Sequence, residues 1–457
     1  MLRRLPTACL FFLLAGCAHQ SPAPVALSSI PANTAPAVNL AGPAKPSPVQ
    51  RISVPGERFT RADPDKPFKP TLIVTTQVAN ADLFFATMVG FGPPYRQATR
   101  LYRGQRAFIL PFAENYAVAS DGRTDLTFEL NLLKADHSKD GPALSGVLWQ
   151  DKVTSPHQLL FTSTTINYYA EPSDPLGECV LTARIHDQLG GDDITLTHAV
   201  VIEDYKPPVL PADFNAESWL QTYYLNPDPA LALPALGALF DKLTANRRTS
   251  ALPTILGFYD QLLNDNPWLL TAFFARLAFA DPNEAYALSV VLGFRFRATT
   301  DAPAGCTPEI WRRLETFRTH AWIDPDSTLT DPTQLDCLWG RFFASGFYAP
   351  VYKLTEPLAA FADLGATDRY TADHPAAQGT DDSDPAGQAA LPAEIGREQM
   401  LRASLWSLGN NAKIHPLVRA YLDLIIRTGK VAEGPRALIV RILQPDPETT
   451  SASPAAR

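Results

Sequence analysis

The densest group of ionisable side chains in the sequence is His186, Asp187, Asp192 and Asp193, set on either side of Gly190-Gly191. A hairpin turning at the two glycines brings both sides within reach, and three carboxylates on a turn supply the hard oxygen ligands that Ca²⁺ takes. The reading favoured over a cation site is a solvated turn whose charges block edge-to-edge strand pairing. Asp136 and His137 adjoin in a segment bearing Lys and Gly, and with no nucleophile at a recognisable spacing they read as a surface pair. His198 falls on the apolar register of its segment, as a hydrogen-bonded histidine at the rim of a core does. Further along, Glu309, Glu315, Asp324, Asp326 and Asp336 gather carboxylates in one stretch, from which an acid–base pair for glycan or peptide hydrolysis can be drawn. The recurrent catalytic spacings are missing: no Gly-x-Ser-x-Gly, His-Glu-x-x-His, phosphate loop, Rossmann glycine triplet, Cys-x-x-Cys or EF-hand loop occurs. The expectation is therefore a protein without catalytic residue, metal or cofactor, with an envelope hydrolase as the alternative.

The N-terminus carries a different chemistry. Arg3 and Arg4 precede the apolar run Leu10–Leu14, and Leu14-Ala15-Gly16-Cys17 follows it, the order of an export signal with a cleavage site. This segment resembles the lipobox of bacterial lipoproteins. The resemblance implies cleavage between Gly16 and Cys17, acylation of Cys17, and, because Ala18 rather than aspartate follows, a place in the outer membrane; the expected side is the periplasm, with the cell surface as the alternative. Several acyl chains on one cysteine hold firmly, at ~0.8 kcal/mol per buried CH₂. Removing Arg3 and Arg4 from 39 basic residues, against 47 acidic ones, leaves about −10 on the remaining chain. That charge argues against nucleic acid as a partner, because phosphate binding needs a basic face. An exported chain matures where disulfides persist, and of the cysteines beyond the signal, Cys306 and Cys337 start successive elements and pair best, leaving Cys179 on a strand. Such a bridge stabilises by roughly 3 kcal/mol and requires α-carbons closer than ~7 Å.

The elements that position these residues divide the 457-residue chain into modules. Residues 18–68 form a linker: from Ser21 to Gln50 the sequence reduces to Ala, Pro, Ser and Val around seven prolines and one charge, Lys45. Residues 69–207 have period two. Leu126, Phe128, Leu130 and Leu132 alternate with polar residues, Thr71–Val78 forms another strand, and Phe108–Phe112 a third whose end Pro111 assigns to an edge or a bulge. Leu181, Ala183 and Ile185 match Ile194, Leu196, Val200 and Ile202 across a turn at Leu189-Gly190-Gly191-Asp192. The hairpin Glu178–Asp187 with its glycine turn resembles the last strands of immunoglobulin-like or PKD-like bacterial extracellular domains, which implies a β-sandwich with an adhesive or spacer role. The framework of Cys, Trp and Cys found in true immunoglobulin domains is missing.

Residues 208–445 read as an all-α domain. Asp228-Pro229, Asn266-Pro267, Asp281-Pro282, Thr307-Pro308 and Asp331-Pro332 each place a capping side chain before a proline at the first helical position. Glu284 and Gln334 stand where a capping box needs them. Gly429 ends a helix, and Cys337–Phe361 reads as two helices broken at Ser345-Gly346, which resembles the helical hairpins of solenoid arrays of the TPR kind. Residues 366–394 form an acidic insertion expected to be mobile, and residues 446–457 a frayed tail. The aromatic residues Trp219, Tyr223, Tyr224, Trp268, Phe273, Phe274, Trp311, Trp339, Phe342, Phe343 and Trp406 recur at helical spacing and are expected in the core rather than on a sugar platform. The fold class expected is multidomain α+β, an N-terminal antiparallel immunoglobulin-like sandwich followed by a helical array. The function expected is a non-enzymatic, lipid-anchored envelope scaffold that binds another envelope protein or a glycan, a spacer without ligand being the blandest alternative.

Overall fold

The structure is a computed structural model and describes residues 59–78, 95–162, 165–246, 249–373 and 393–444. The expected signal with Gly16 and the candidate acylation site Cys17, the tail from residue 446 and the linker up to residue 58 lie outside the described residues. Helices take up 46 % and strands 20 %, so the chain is mixed α+β. The strands precede the helices: β1 (Phe59–Thr60), β2 (Lys69–Thr75), β3 (Arg100–Tyr102), β4 (Arg106–Glu114), β5 (Val118–Ala119), β6 (Leu126–Leu133), β7 (Leu144–Trp149), β8 (Leu160–Phe161), β9 (Ile166–Tyr169), β10 (Gly177–Asp187) and β11 (Asp192–Glu203).

One sheet runs β3-β11-β10-β6-β7, and a second runs β2-β4-β8 with β9 also on β4. Period two decides the faces. Leu126, Phe128, Leu130 and Leu132 on β6 and Leu181, Ala183 and Ile185 on β10 are buried, and they share one core with Leu72, Val74 and Ile109 of the second sheet. The β10–β11 hairpin keeps its register from Gly177↔Ile202 to Asp187↔Asp192, with the turn where the two glycines place it. Three expectations are corrected. Residues 59–68, assigned by composition to the linker, are folded: Phe59–Thr60 pairs with Val118–Ala119 and Phe68 is buried. The pairing is mixed rather than antiparallel throughout, since β3 runs parallel to β11. Pro111 lies in a central strand, with β2 along one side of β4. On the other side β9 pairs with Arg106–Ile109 and β8 with Phe112–Ala113, so Leu110 and Pro111 fall in the gap between two partners. The missing N–H is tolerated where the ladder is already interrupted.

The helices are α1 (Ala216–Thr222), α2 (Ala232–Asn246), α3 (Leu252–Asp265), α4 (Leu270–Phe279), α5 (Pro282–Arg295), α6 (Pro308–Arg313), α7 (Glu315–Arg318), α8 (Pro332–Ser345), α9 (Tyr348–Lys353), α10 (Ala366–Asp373), α11 (Ala393–Ile414), α12 (Pro416–Thr428) and α13 (Glu433–Leu443). Three of the five expected caps start α-helices, whereas Asp228 caps only the 3-10 turn Pro229–Leu231 and Asn266 precedes the 3-10 turn Pro267–Leu269 without a side-chain cap bond. Asp281 accepts from the N–H groups of Asn283 and Glu284, Thr307 from Ile310, and Asp331 forms a full capping box with Gln334. The box expected at Asp281 is not formed, because Arg276 takes Glu284 through two contacts of 2.6 Å. Helix α8 crosses α3 at two glycines. A β-carbon on Gly257 would lie 2.0 Å from the Cys337 carbonyl oxygen, and one on Gly340 2.0 Å from that of Thr254, so the crossing exists only because both side chains are missing. The first residues of the segment expected to be mobile are helical: α10 is held by Glu398, which accepts from the N–H groups of Gly365 and Thr367 at 2.7 Å each. Residues 374–392 lie outside the described residues.

Candidate functional site

Sheets and helices meet at an aromatic seam. Tyr102 of β3 stacks on Trp268 at 5.2 Å between ring centroids, and Tyr205 packs edge-on against both, at 5.4 and 5.1 Å. The Tyr205 hydroxyl donates to the Ala230 carbonyl at 2.9 Å, which ties the end of β11 to the helices. Edge-to-face and offset geometries of this kind add about 0.5–1.5 kcal/mol per pair beyond the area that they bury.

Beside the seam lies a cavity of about 420 Å³, reached by Thr76–Val78 and Tyr95 from the strand side and by Tyr223–Leu225, Asp265, the Ala344–Phe347 turn and the start of α12 from the helical side. Its walls are mostly apolar, the usual character of a ligand or partner cavity. Gly346 caps α8 at φ 66°, in the left-handed region, and its carbonyl accepts from the Tyr421 hydroxyl at 2.6 Å. Behind the wall, the Tyr224 hydroxyl and His415 Nδ1 share a hydrogen bond of 3.0 Å. Burial pushes the Tyr224 phenol up to about 12 and holds the His415 imidazole below its usual value, so both stay neutral at pH 7. Asp265 ends α3 in this cavity. Burial pushes its carboxyl up to about 6, while Gln261 Nε2 donates to both its oxygens at 2.9 and 3.0 Å. The cavity thus offers contact surface, one satisfied acid and the Tyr224–His415 hydrogen bond at its wall.

A second recess of about 370 Å³ opens between α1, α2, α3 and α8 and contains Asp336, Glu217, Lys242 and Asn411. Burial, and then the like charge of Asp331, push the Asp336 carboxyl up to about 6.

The glycine turn holds a cation, but it is Arg61: its guanidinium pairs with Asp192 and lies 3.7 Å from Asp187. Asp187 is buried, which raises its carboxyl, and accepts from the N–H groups of Ala117 and Gly190 at 2.8 and 2.9 Å. Asp193 is taken by Arg184, with His186 at 3.5 Å. No group of three or more His, Cys, Asp or Glu fit for a metal occurs among the described residues. His198 bonds through Nε2 to the Ala98 carbonyl at 2.6 Å at the rim of the core. Asp136 is tied to Ser138, and His137 is exposed. Of the five carboxylates set out for hydrolysis, Asp336 lies in the recess. Asp326 pairs with Arg341 at 2.6 Å, and Glu309, Glu315 and Asp324 are exposed.

The expected Cys306–Cys337 bridge is not formed. Cys179, Cys306 and Cys337 are all free. Cys306 directs its thiol to the Thr307 carbonyl at 3.6 Å, whereas Cys337 is buried in the α3–α8 crossing, where burial pushes its thiol up to about 12. The aromatic residues named from sequence in the helical part are buried or partly buried, with Trp406 the exception at 73 % exposure. Asp265 and Arg61 were missed by sequence reasoning. The signal for Asp265 was its place just before the Asn266-Pro267 cap, and nothing local marks Arg61.

No family model and no curated protein matches the chain. Among solved structures, a family 123 glycoside hydrolase from Clostridium perfringens that hydrolyses glycolipid glycans is similar over 31 % of this chain and 28 % of its own, at 8 % identity and a TM-score of 0.20. A second, pT26-6p, is similar over 61 % of this chain and 45 % of its own, at 9 % identity and a TM-score of 0.16. The chain thus spans less than half the length of either, and likenesses this slight carry no argument about fold or activity.

Proposed function

We propose that the chain is a non-enzymatic, lipid-anchored protein of the bacterial envelope, held to the outer membrane through Cys17 and facing the periplasm. In this reading the two sheets form an immunoglobulin-like sandwich and the helices an array, and together they present one surface to another envelope protein or a glycan as a scaffold in assembly. The observation that carries it is the mostly apolar cavity of about 420 Å³ beside the aromatic seam, whose acid is already satisfied by Gln261. A cavity built from both modules recognises a partner only while they stay docked, which suits a scaffold. The anchor is supported by Leu14-Ala15-Gly16-Cys17 behind its basic and apolar blocks. Substituting Cys17→Ala and fractionating cells tests it: the protein moves to the soluble envelope fraction, and persistence in the membrane overturns the anchor. The hydrolase alternative draws support from Asp336, and requires Asp336→Asn to abolish glycan or peptide cleavage by the purified chain.

A further inference from the structure

The recess between α1, α2, α3 and α8 contains a carboxylate that the fold leaves without a partner. Asp336 is half-buried, and among the described residues no N–H, hydroxyl or cation reaches it. The other carboxylates drawn into the helical part are served among the described residues. Asp260 receives Arg341 at 2.8 Å, Asp265 receives Gln261, and Glu398 receives Arg402 and two backbone N–H groups. An ionised carboxylate partly withdrawn from water without a counter-charge carries part of the cost of burying a charge, and a cation brought to it would offset that cost.

The surroundings specify what would satisfy it. Leu220, Leu239 and Ile255 give the recess apolar walls, and Trp339 and Phe343 add aromatic rings. Glu217 adds another acid, bound only loosely to Lys242 at 3.9 Å. Apolar walls, aromatic rings and an unpaired acid together match a cation carried on a methylene stem: the stem packs on the aliphatic side chains and the charge meets the carboxylate. We propose that this recess binds the lysine or arginine side chain of a partner protein, seated on Asp336 with Glu217 beside it. The net charge of −8 favours encounter with a basic partner. The proposal is independent of both the lipid anchor and the seam cavity.

Calorimetry on the full-length chain in detergent tests it, with capped Gly-Lys-Gly and Gly-norleucine-Gly peptides as probes and n-butylamine as the free amine. The lysine peptide is expected to bind at least tenfold more tightly than its uncharged isostere. Asp336→Asn should erase that difference, and Glu217→Gln should reduce it several-fold. Retention of the helical circular dichroism spectrum by both variants separates loss of the site from loss of the fold. Equal binding of the two peptides, binding of neither, or a lysine preference that survives in Asp336→Asn overturns the site. Butylamine binding as tightly as the lysine peptide overturns the assignment to a partner chain.

Discussion

Glu398 and Asp336 illustrate opposite uses of burial. Burial alone would raise the Glu398 carboxyl, but the N–H groups of Thr367 and Gly365, the Arg402 guanidinium and the Thr367 hydroxyl outweigh it and hold the group at about 2. Its folded value is depressed, so its stabilisation is present above the unfolded value near 4.5 and is lost as pH falls towards 2. Glu398→Gln should cost about 2 kcal/mol at pH 7, the scale of a buried hydrogen-bonded charge, and the gap to wild type should narrow in urea titrations at pH 3. Asp336 has the reverse sign. Its folded value is raised from 3.8 to about 6, so its contribution is favourable below 3.8 and is lost as pH rises through 6. Asp336→Asn should therefore stabilise the unliganded chain by about 1–2 kcal/mol at pH 7.5 and by little at pH 4, a partial exposure having been allowed for. A variant no more stable than wild type at pH 7.5 would show that the carboxylate is solvated.

Among the elements, the α3–α8 crossing is the most exacting. Gly340→Ala would press a methyl group into the Thr254 carbonyl and should cost about 3 kcal/mol or more by overpacking, seen as a drop in the urea midpoint. Gly396, exposed on α11 with nothing near its missing β-carbon, is the control: Gly396→Ala should gain about 0.5–1 kcal/mol from helix propensity. The contrast also shows what was legible in the sequence. Strand β6, the β10–β11 hairpin, the caps at Asp281, Thr307 and Asp331 and the stop at Gly429 follow from period and local chemistry. Pro111 in a central strand and the parallel β3–β11 pair were not legible, because both depend on which strands arrive as neighbours from elsewhere in the chain. The capping box at Asp281 failed through competition from Arg276, a residue in the preceding helix. Asp336 was named for its charge alone, and its unpaired state follows from packing by α1 and α2. Asp265 was overlooked because the acid itself looks like an ordinary helix end.

For the whole molecule, the seam decides whether sheets and helices act as one body. Trp268→Ala removes the ring that Tyr102 and Tyr205 share, and is expected to cost about 3 kcal/mol and to split a single thermal transition into two. One transition in the variant would place the coupling elsewhere. The account's central claim is that the seam cavity engages an envelope partner while Cys17 holds the chain at the membrane. Leu225 lines that cavity and is exposed, which makes it the position for a photo-crosslinking residue in living cells. The account predicts one dominant envelope protein or glycan captured from Leu225, and loss of that capture when Cys17→Ala is added. Capture of nothing, or a product unchanged in the Cys17→Ala background, would contradict it.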